Sequence, residues 1–276
     1  MTIQALRRRV YSYYRKRGRD LPWRKTRDPY RIAVSEIMLQ QTQVSRVLLK
    51  YPLFIRHFPT IQSLARAPLA QVLAVWQGLG YNRRALLLHR FAKQVVSVYN
   101  GKSPREIQAL RQLPGVGGAT AGAICAFAFN QPSVYIETNI RSVFIHAFFK
   151  NRANISDAQL MPYIAKALDR KNPRKWYSAL MDYGVYLKEI AGNPSRRSLH
   201  YVRQSPFEGS NRQIRGRILK IILQKKRIQE RALSARLGCD TARLRPIVEA
   251  LQSEGLILKS GAWVGIGETR SFRKIV

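Results

Sequence analysis

The chain alternates apolar and basic positions with the period of an α-helix. Near the N-terminus the apolar residues at this spacing are Ile3, Leu6, Val10, Tyr13 and Tyr14. Asp28 followed by Pro29 predicts a helix start, because an aspartate side chain caps a first turn and proline fits its first position. Helical patterns recur over residues 105–113, 120–129, 140–149, 157–168 and 174–190. The pattern therefore predicts an all-α fold class for most of the chain.

The pattern changes after residue 192. Residues 193–210 are polar and contain Pro194, Pro206 and Gly209, which is typical of a linker. Residues 211–276 predict three helices followed by two short strands, an order that resembles a winged helix. The sequence thus predicts a first domain over residues 1–192, a linker over 193–210 and a small winged-helix-like domain over 211–276.

The net charge of the chain indicates a class of binding partner. The 49 Lys and Arg residues against 15 Asp and Glu residues give a formal charge of +34. Such a potential recruits a polyanion, and nucleic acid is favoured because each neutralised phosphate releases counterions. An anionic membrane surface is the weaker alternative, since it would favour one basic amphipathic helix, whereas the basic residues here run from Arg7 to Lys274. We therefore expect a nucleic-acid-binding protein.

Several classes of protein are disfavoured by composition. The hydrophobic content of 46% argues against disorder, and no apolar run approaches the ~20 residues of a membrane span. The N-terminus lacks the apolar core of a secretory signal. The chain has two cysteines, Cys125 and Cys239, too few for a disulfide framework. We expect an intracellular protein with no membrane association, cytoplasmic and bound to the nucleoid.

A Pro- and Gly-rich turn separates two of the predicted helices, with the sequence Leu113-Pro-Gly-Val-Gly117. Glycines bring backbone N–H groups close to a phosphate, with the positive end of the following helix behind them. The alternative is a buried turn between two packed helices. The residues predicted to contact the DNA backbone here are Leu113, Gly115, Val116, Gly117, Gly118 and Thr120.

Three further segments accompany this hairpin: VSEIMLQQTQV over residues 34–44, WQGLGYNRRA over 76–85 and VYIETNIRSV over 134–143. Together they resemble the helix-hairpin-helix base-excision DNA glycosylases, and within these the adenine (MutY-type) branch. The resemblance covers about residues 5–190. It implies a two-lobed all-α domain, acting as a monomer on double-stranded DNA, that flips a mispaired or damaged base out of the helix and hydrolyses its glycosidic bond.

The resemblance implies two catalytic carboxylates. Glu36 matches the family's general acid, which protonates the departing purine. Glu137 stands where the family has an aspartate that stabilises the sugar cation. The alternatives are an exposed helix glutamate at 36 and a helix-start residue at 137. Glutamate is a poorer helix cap than aspartate, and the neighbouring Thr138 and Asn139 are alternative caps for the following helix.

The resemblance also implies residues that hold DNA and the flipped base. Tyr81 matches the residue that wedges into the base stack, with a partly buried core tyrosine as the alternative. Residues expected to contact the bases are Trp23, Gln40 and Gln41, and those expected to contact the backbone are Asn139, Arg83 and Arg84. In the C-terminal domain Arg243 and Arg245 would lie on the helix that enters the major groove.

Some family features are missing from the sequence. Gly118, Ala119 and Thr120 stand where bifunctional relatives carry a lysine nucleophile, so a monofunctional enzyme is expected. No cysteine follows Tyr183-Gly184 within the first domain, so no iron–sulfur cluster is expected, although a monovalent cation at the hairpin fits the resemblance. The winged-helix-like tail replaces the family's usual nucleotide-hydrolase-like domain. A thymine or uracil mismatch glycosylase and a non-catalytic DNA-binding protein remain as alternatives.

Overall fold

The structure, a computed structural model, describes residues 1–266. Residues 267–276, the end of the predicted C-terminal domain, lie outside the described residues. The prediction of a mainly helical fold is confirmed. The α-helices are α1 (Ile3–Arg17), α2 (Pro29–Leu39), α3 (Val44–His57), α4 (Ile61–Arg66), α5 (Leu69–Trp76), α6 (Arg83–Tyr99), α7 (Ile107–Arg111), α8 (Gly118–Phe129), α9 (Thr138–Phe148), α10 (Asp157–Ala167), α11 (Pro173–Ile190), α12 (Asn211–Lys225), α13 (Glu230–Leu237) and α14 (Thr241–Ser253).

Local capping explains where many of these helices begin. Asp28 Oδ1 accepts a hydrogen bond from the N–H of Tyr30 at 2.9 Å, as the Asp28-Pro29 signal predicted. Ser156 and Gln159 form a reciprocal capping box at the start of α10. α8 ends at Asn130, which adopts a left-handed conformation with φ +53°.

The described chain divides into two compact units. Unit 1 comprises residues 1–36, 104–112 and 116–203. Its core lies where α9 and α11 pack together and α1 packs against α11. Trp176, Tyr177 and Phe144 are completely buried there. Two 3-10 turns, Pro22–Arg24 and Pro194–Arg197, complete this unit.

Unit 2 comprises residues 37–103, 113–115 and 204–276, of which residues up to 266 are described. α4 and α5 pack against α6, and α12 packs against α5. Completely buried side chains such as Trp76, Phe54 and Phe91 fill its core. The unit therefore joins the segment after α2 to the C-terminal part of the chain.

The C-terminal part contains a three-stranded antiparallel sheet formed by β1 (Arg227–Gln229), β2 (Leu258–Ser260) and β3 (Trp263–Gly265), in the order β1-β3-β2. The hairpin of β2 and β3 matches the two strands predicted from sequence, whereas β1 was not predicted. A strand of three residues is too short to show the alternation of apolar and polar positions by which a strand is predicted from sequence. Assignment to the winged-helix class stays a prediction.

Among the described residues, none of the helices is long and apolar enough to cross a membrane.

Candidate active site

Glu137 caps helix α9 with its own side chain. Its Oε1 atom accepts hydrogen bonds from the backbone N–H groups of Asn139 at 2.7 Å and Ile140 at 2.8 Å. Its Oε2 atom accepts one from Asn139 Nδ2 at 3.2 Å. Of the caps that the sequence offered, Glu137 rather than Thr138 or Asn139 is therefore the one that forms. With extended backbone at φ −138° and ψ 179°, the longer glutamate side chain folds back far enough to reach both amides.

Cations surround the Glu137 carboxylate. Lys188 Nζ donates to Asn139 Oδ1 at 2.8 Å, which ties Asn139 into the same network. Burial raises the pKa of Glu137 above its usual value, while the two amide hydrogen bonds and the charges of Lys188 and Arg141 oppose this shift. The network thus opposes the effect of burial on the pKa of Glu137 without outweighing it. Asn139, predicted to contact the DNA backbone, lies inside this network.

Glu36 lies on α2, partly buried, next to Ser35, which is 1% exposed. Burial and, to a smaller extent, the negative charge of Glu137 raise the pKa of Glu36 to about 8, against the opposing effect of the positive charge of Arg24. Glu36 is therefore mostly protonated at neutral pH. The two glutamates lie in one electrostatic neighbourhood of unit 1, where burial raises the pKa of both and where only Glu137 accepts hydrogen bonds from backbone amides.

Asp182 fixes the arginine that acts on Glu36. This carboxylate is 2% exposed, and it accepts hydrogen bonds from both terminal nitrogens of Arg24 at 2.8 Å and from Arg19 Nε at 2.6 Å. Burial alone would raise the pKa of Asp182, but the hydrogen bonds and charges of Arg24 and Arg19 outweigh it and lower the pKa. Trp23, the neighbour of Arg24 predicted to line a pocket, is 7% exposed and part of the core.

Sequence reasoning missed Asp182, Arg24 and Lys188. One signal was present, because Asp182 is an acid within a mostly apolar helical stretch of a chain poor in acids. Its partner Arg24 is 158 residues away, so no local pattern could have identified the pair.

Gly184 lets α11 approach the start of α9. A Cβ atom at this position would lie 2.6 Å from the backbone oxygen of Asn139 and 2.9 Å from its Cα. Such contacts are too short for any side chain, so glycine is required for the packing that supports the Glu137 cap.

In unit 2, Tyr81 is 36% exposed and adopts a left-handed backbone with φ +47°. Its ring lies within 5.6 Å of the Arg84 guanidinium and 5.7 Å of that of Arg212. Its hydroxyl accepts a hydrogen bond from Arg212 at 2.9 Å and another from Gln204. The predicted wedge residue is thus held by side chains that follow residue 203.

The predicted base-contacting residues of unit 2 lie together around a cavity of about 360 Å³. Gln40, Gln41 and Tyr81 line it with Arg212 and Arg215. The two arginines are side chains that the sequence interpretation did not connect with this group. The cavity therefore combines amide, phenol and guanidinium groups.

Arg84 occupies a different setting from the one predicted. It is 8% exposed, and its guanidinium donates to the backbone oxygens of Ile37 and Met38 at 2.8 Å and to Thr42 Oγ1 at 2.9 Å. Burial lowers its pKa to about 10. Its two terminal nitrogens donate to protein acceptors, whereas the side chain of its neighbour Arg83 is exposed.

The hairpin residues divide into packed and exposed groups. Leu113, Val116 and Thr120 are at most 9% exposed, while Gly117 and Gly118 are exposed at the start of α8. The apolar hairpin residues thus stabilise the turn, and the glycines face solvent.

Gly115 has φ +77°, and a Cβ there would lie 3.0 Å from Leu87 Cβ. The position therefore favours glycine on both conformational and steric grounds. Arg243 and Arg245 on α14 are exposed, and Arg243 donates to the backbone oxygen of Gly209 at 2.6 Å.

Comparison with known proteins connects this arrangement to a family. The model of the HhH-GPD superfamily of base excision DNA repair proteins matches residues 34–169. An adenine DNA glycosylase of Mycobacterium tuberculosis is 32% identical over 280 residues, which cover 91% of this chain and 90% of that protein. An adenine DNA glycosylase of Buchnera aphidicola is 36% identical over 192 residues, covering 68% of this chain and 54% of that protein.

One solved structure, a thermostable thymine-DNA glycosylase, superposes with a TM-score of 0.60 at 26% identity. The match covers 66% of this chain and 85% of that one. The likeness extends to the fold as well as to the sequence, whereas the chain spans about half the length of the Buchnera relative.

Proposed function

We propose the following function for this chain, which belongs to the HhH-GPD superfamily of base excision DNA repair proteins and to its adenine DNA glycosylase branch. It binds double-stranded DNA, flips out a mispaired adenine and hydrolyses the bond between that base and its deoxyribose. The partner opposite the adenine is guanine or 8-oxoguanine. The adenine DNA glycosylases that match most of the chain support adenine as the base that is removed.

The observation that carries the proposal is the unequal pair of glutamates in unit 1. Cleaving an N-glycosidic bond requires an acid for the leaving base and a negative charge near the cationic sugar. The pKa of about 8 supports Glu36 as the acid that donates its proton to a purine ring nitrogen. The amide and cation network supports Glu137 as the carboxylate that stabilises the sugar cation.

The reaction stops at base removal in this proposal. Breaking the DNA strand as well would need an amine nucleophile, and Gly118, Ala119 and Thr120 follow the hairpin instead of a lysine. An iron–sulfur (4Fe–4S) cluster does not fit this chain, because the cluster needs four cysteine thiolates and the chain has Cys125 and Cys239. No step in the mechanism therefore passes through such a cluster.

Exposed groups support contacts to the DNA backbone. Gly117 and Gly118 at the start of α8 would offer N–H groups to a phosphate, with the positive end of the helix dipole behind them. The exposed arginines Arg83, Arg243 and Arg245 would add charge contacts. The proposal also includes association with the nucleoid, since the dominant partner is DNA, and action as a monomer.

Tyr81, Gln40 and Gln41 would engage the bases. An exposed planar ring can fill the space that a flipped base leaves in the stack, and the glutamine amides can hydrogen-bond the base that stays behind. In the free protein the Tyr81 ring is held by Arg212, so insertion would require that contact to be exchanged for base stacking.

A panel of mispaired duplexes tests the proposal. Single-turnover base release is measured with adenine opposite guanine, 8-oxoguanine, cytosine or thymine, and with thymine or uracil opposite guanine. We expect release of adenine opposite guanine and 8-oxoguanine. Release of thymine or uracil alone would support the mismatch alternative, which the likeness to a thymine-DNA glycosylase favours. Tight binding without any release would indicate a non-catalytic DNA-binding protein.

A further inference from the structure

Tyr135 is a buried residue that the proposed mechanism does not yet use. It lies in the irregular segment between α8 and α9 and is 4% exposed. Its ring packs on that of Tyr177, with the centroids 4.3 Å apart. Gly122 makes room for it, because a Cβ at Gly122 would lie 2.7 Å from Tyr135 Cβ. The ring is thus fixed on two sides by its neighbours.

The hydroxyl of Tyr135 has no hydrogen-bond partner among residues 1–266. Leaving a buried hydroxyl unpaired is unfavourable, so such a group in a protein calls for an explanation. The stacked neighbour shows the ordinary outcome, since the Tyr177 hydroxyl donates to the backbone oxygen of Ser133 at 2.6 Å. Packing alone therefore explains the Tyr135 ring but not its hydroxyl, which phenylalanine would lack.

The placement of Tyr135 relates its hydroxyl to the two glutamates. Tyr135 precedes Glu137 by two residues, and both belong to the same compact unit as Glu36. Burial, the neighbouring Tyr177 and the charges of Glu36 and Glu137 raise the pKa of Tyr135 well above 10. The hydroxyl therefore remains a neutral donor wherever the enzyme works.

We propose that Tyr135 is a positioning residue that donates a hydrogen bond to the Glu36 carboxylate once Glu36 has given its proton to the base. This inference rests on the proposed function. The proton moves from the Glu36 oxygen to a purine nitrogen, the glycosidic bond breaks and its electron pair leaves with the base. Tyr135 keeps its own proton throughout, so charge and atoms balance.

The physical need for such a donor arises during this step. In the proposed mechanism Glu137 carries a negative charge before proton transfer, and Glu36 adds a second one afterwards. The positive charge of Arg24 stabilises the ionised form of Glu36, and the positive charges of Lys188 and Arg141 stabilise that of Glu137. A preorganised donor in a buried site stabilises the new carboxylate more than water would. Such catalytic hydrogen bonds are often formed only in the substrate complex, which accounts for the unpaired hydroxyl in the free protein.

The full-length chain tests this with a matched pair of variants, Tyr135→Phe and Tyr177→Phe. Each removes one hydroxyl from the same aromatic stack. Single-turnover release of adenine opposite guanine is measured as a function of pH, with DNA affinity and melting temperature for each variant. For Tyr135→Phe we expect a rate lower by about 100-fold, unchanged affinity and a basic limb displaced to higher pH, because the ionised form of Glu36 loses a donor. For Tyr177→Phe we expect the basic limb of the pH–rate profile to stay at its wild-type position.

A rate within threefold of wild type for Tyr135→Phe would overturn the inference. So would a slower reaction whose basic limb stays in place, since that would indicate a structural role only. A second measurement does not depend on turnover. The pKa of the Glu36 carboxyl is measured by carbon-13 NMR titration of the protein bound to a duplex that carries 2′-fluoro-2′-deoxyadenosine opposite guanine. If the wild-type protein releases no base, the proposed function fails. The inference about Tyr135 is then decided by whether Tyr135→Phe raises the pKa of Glu36 in that titration.

Discussion

At the residue scale, position 137 carries a glutamate where the resembled family carries an aspartate, and the extra methylene is used to cap α9. Substitutions at position 137 separate the effect of the carboxylate charge on activity from the effect of the helix cap on stability. We predict that Glu137→Gln abolishes adenine release but keeps most of the stability, because the amide oxygen can still accept from Asn139 and Ile140. Glu137→Asp should retain activity. Glu137→Ala should lose activity and also about 0.5–2 kcal/mol of stability.

Single-turnover rates and melting temperatures of these three variants decide the matter. An active Glu137→Gln enzyme would remove the charge of Glu137 from the mechanism and leave it as a helix cap.

Glu36 offers a second prediction, this time on stability. Its pKa rises from 4.5 to about 8 on folding, so the unfolded chain releases this proton at lower pH than the folded one. The wild-type protein therefore loses stability as pH rises between these values, and the penalty is complete above about pH 8. We predict that Glu36→Gln raises the melting temperature by several degrees above about pH 8 and that this gain shrinks as pH falls.

Melting curves over this pH range check the prediction, with the exposed Glu189→Gln as a control for the loss of one negative charge. A gain for Glu36→Gln that is equal at all pH values would show that burial does not disfavour the ionised form of Glu36.

The sequence was sufficient to select Glu36 and Glu137, because both stand inside specific motifs. It could not supply their electrostatic partners. Asp182 and Arg24 are far apart along the chain and meet only through tertiary packing. Arg84 is a second example of what tertiary packing decides. Its sequence neighbours suggested a DNA contact, but in the structure it is buried and donates to backbone oxygens.

At the scale of elements, the contact between α11 and the start of α9 allows a steric test. We predict that Gly184→Ala lowers both the melting temperature and the rate of adenine release, because the new Cβ would displace the backbone at Asn139 and with it the Glu137 cap. Gly216→Ala on α12 is the matched control, since a Cβ there meets nothing within 4 Å. It should stabilise the protein by about 0.5–1 kcal/mol.

Thermal melting and single-turnover rates of both variants provide the measurement. Equal effects at the two positions would contradict the account of the contact between these helices.

The helices predicted from the sequence were largely located correctly because each of them has its own apolar period. The bounds differ by one or two residues, as at α9, predicted over 140–149 and observed over Thr138–Phe148. The start of α9 moved because Glu137 supplies a cap that propensity disfavours. β1 was missed because its three residues depend on pairing with β3 for their conformation.

At the scale of the whole molecule, the segments that form unit 2 illustrate what a sequence pattern cannot show. Residues 37–103 and 204–266 belong to one unit although residues 104–203 lie between them in the sequence. Composition marks a change near residue 192, but it carries no information about which distant helices pack together. α12 against α5 is such a pairing.

The large positive charge leads to a prediction about salt. We predict that the double substitution of Arg243→Gln and Arg245→Gln weakens DNA binding for all sequences alike and flattens the dependence of log affinity on log salt by up to about 2. Both side chains are exposed on α14, so the fold should not change. Fluorescence anisotropy at several salt concentrations measures the slope.

The double substitution of Arg66→Gln and Lys93→Gln removes the same charge from exposed positions on α4 and α6 and serves as the control. An unchanged slope for the α14 variant would indicate that this helix contacts a protein rather than DNA.

The central claim is that a protonated Glu36 drives the removal of a mispaired adenine. Its most direct test is the single-turnover rate of adenine release opposite guanine as a function of pH, for wild type and for Glu36→Gln. We predict that the wild-type rate falls as pH rises through about 8, because Glu36 then loses the proton it must donate. We predict that Glu36→Gln binds the duplex normally and releases no adenine. A wild-type rate that is flat through this pH range, together with a Glu36→Gln rate within a few-fold of wild type, would contradict the account.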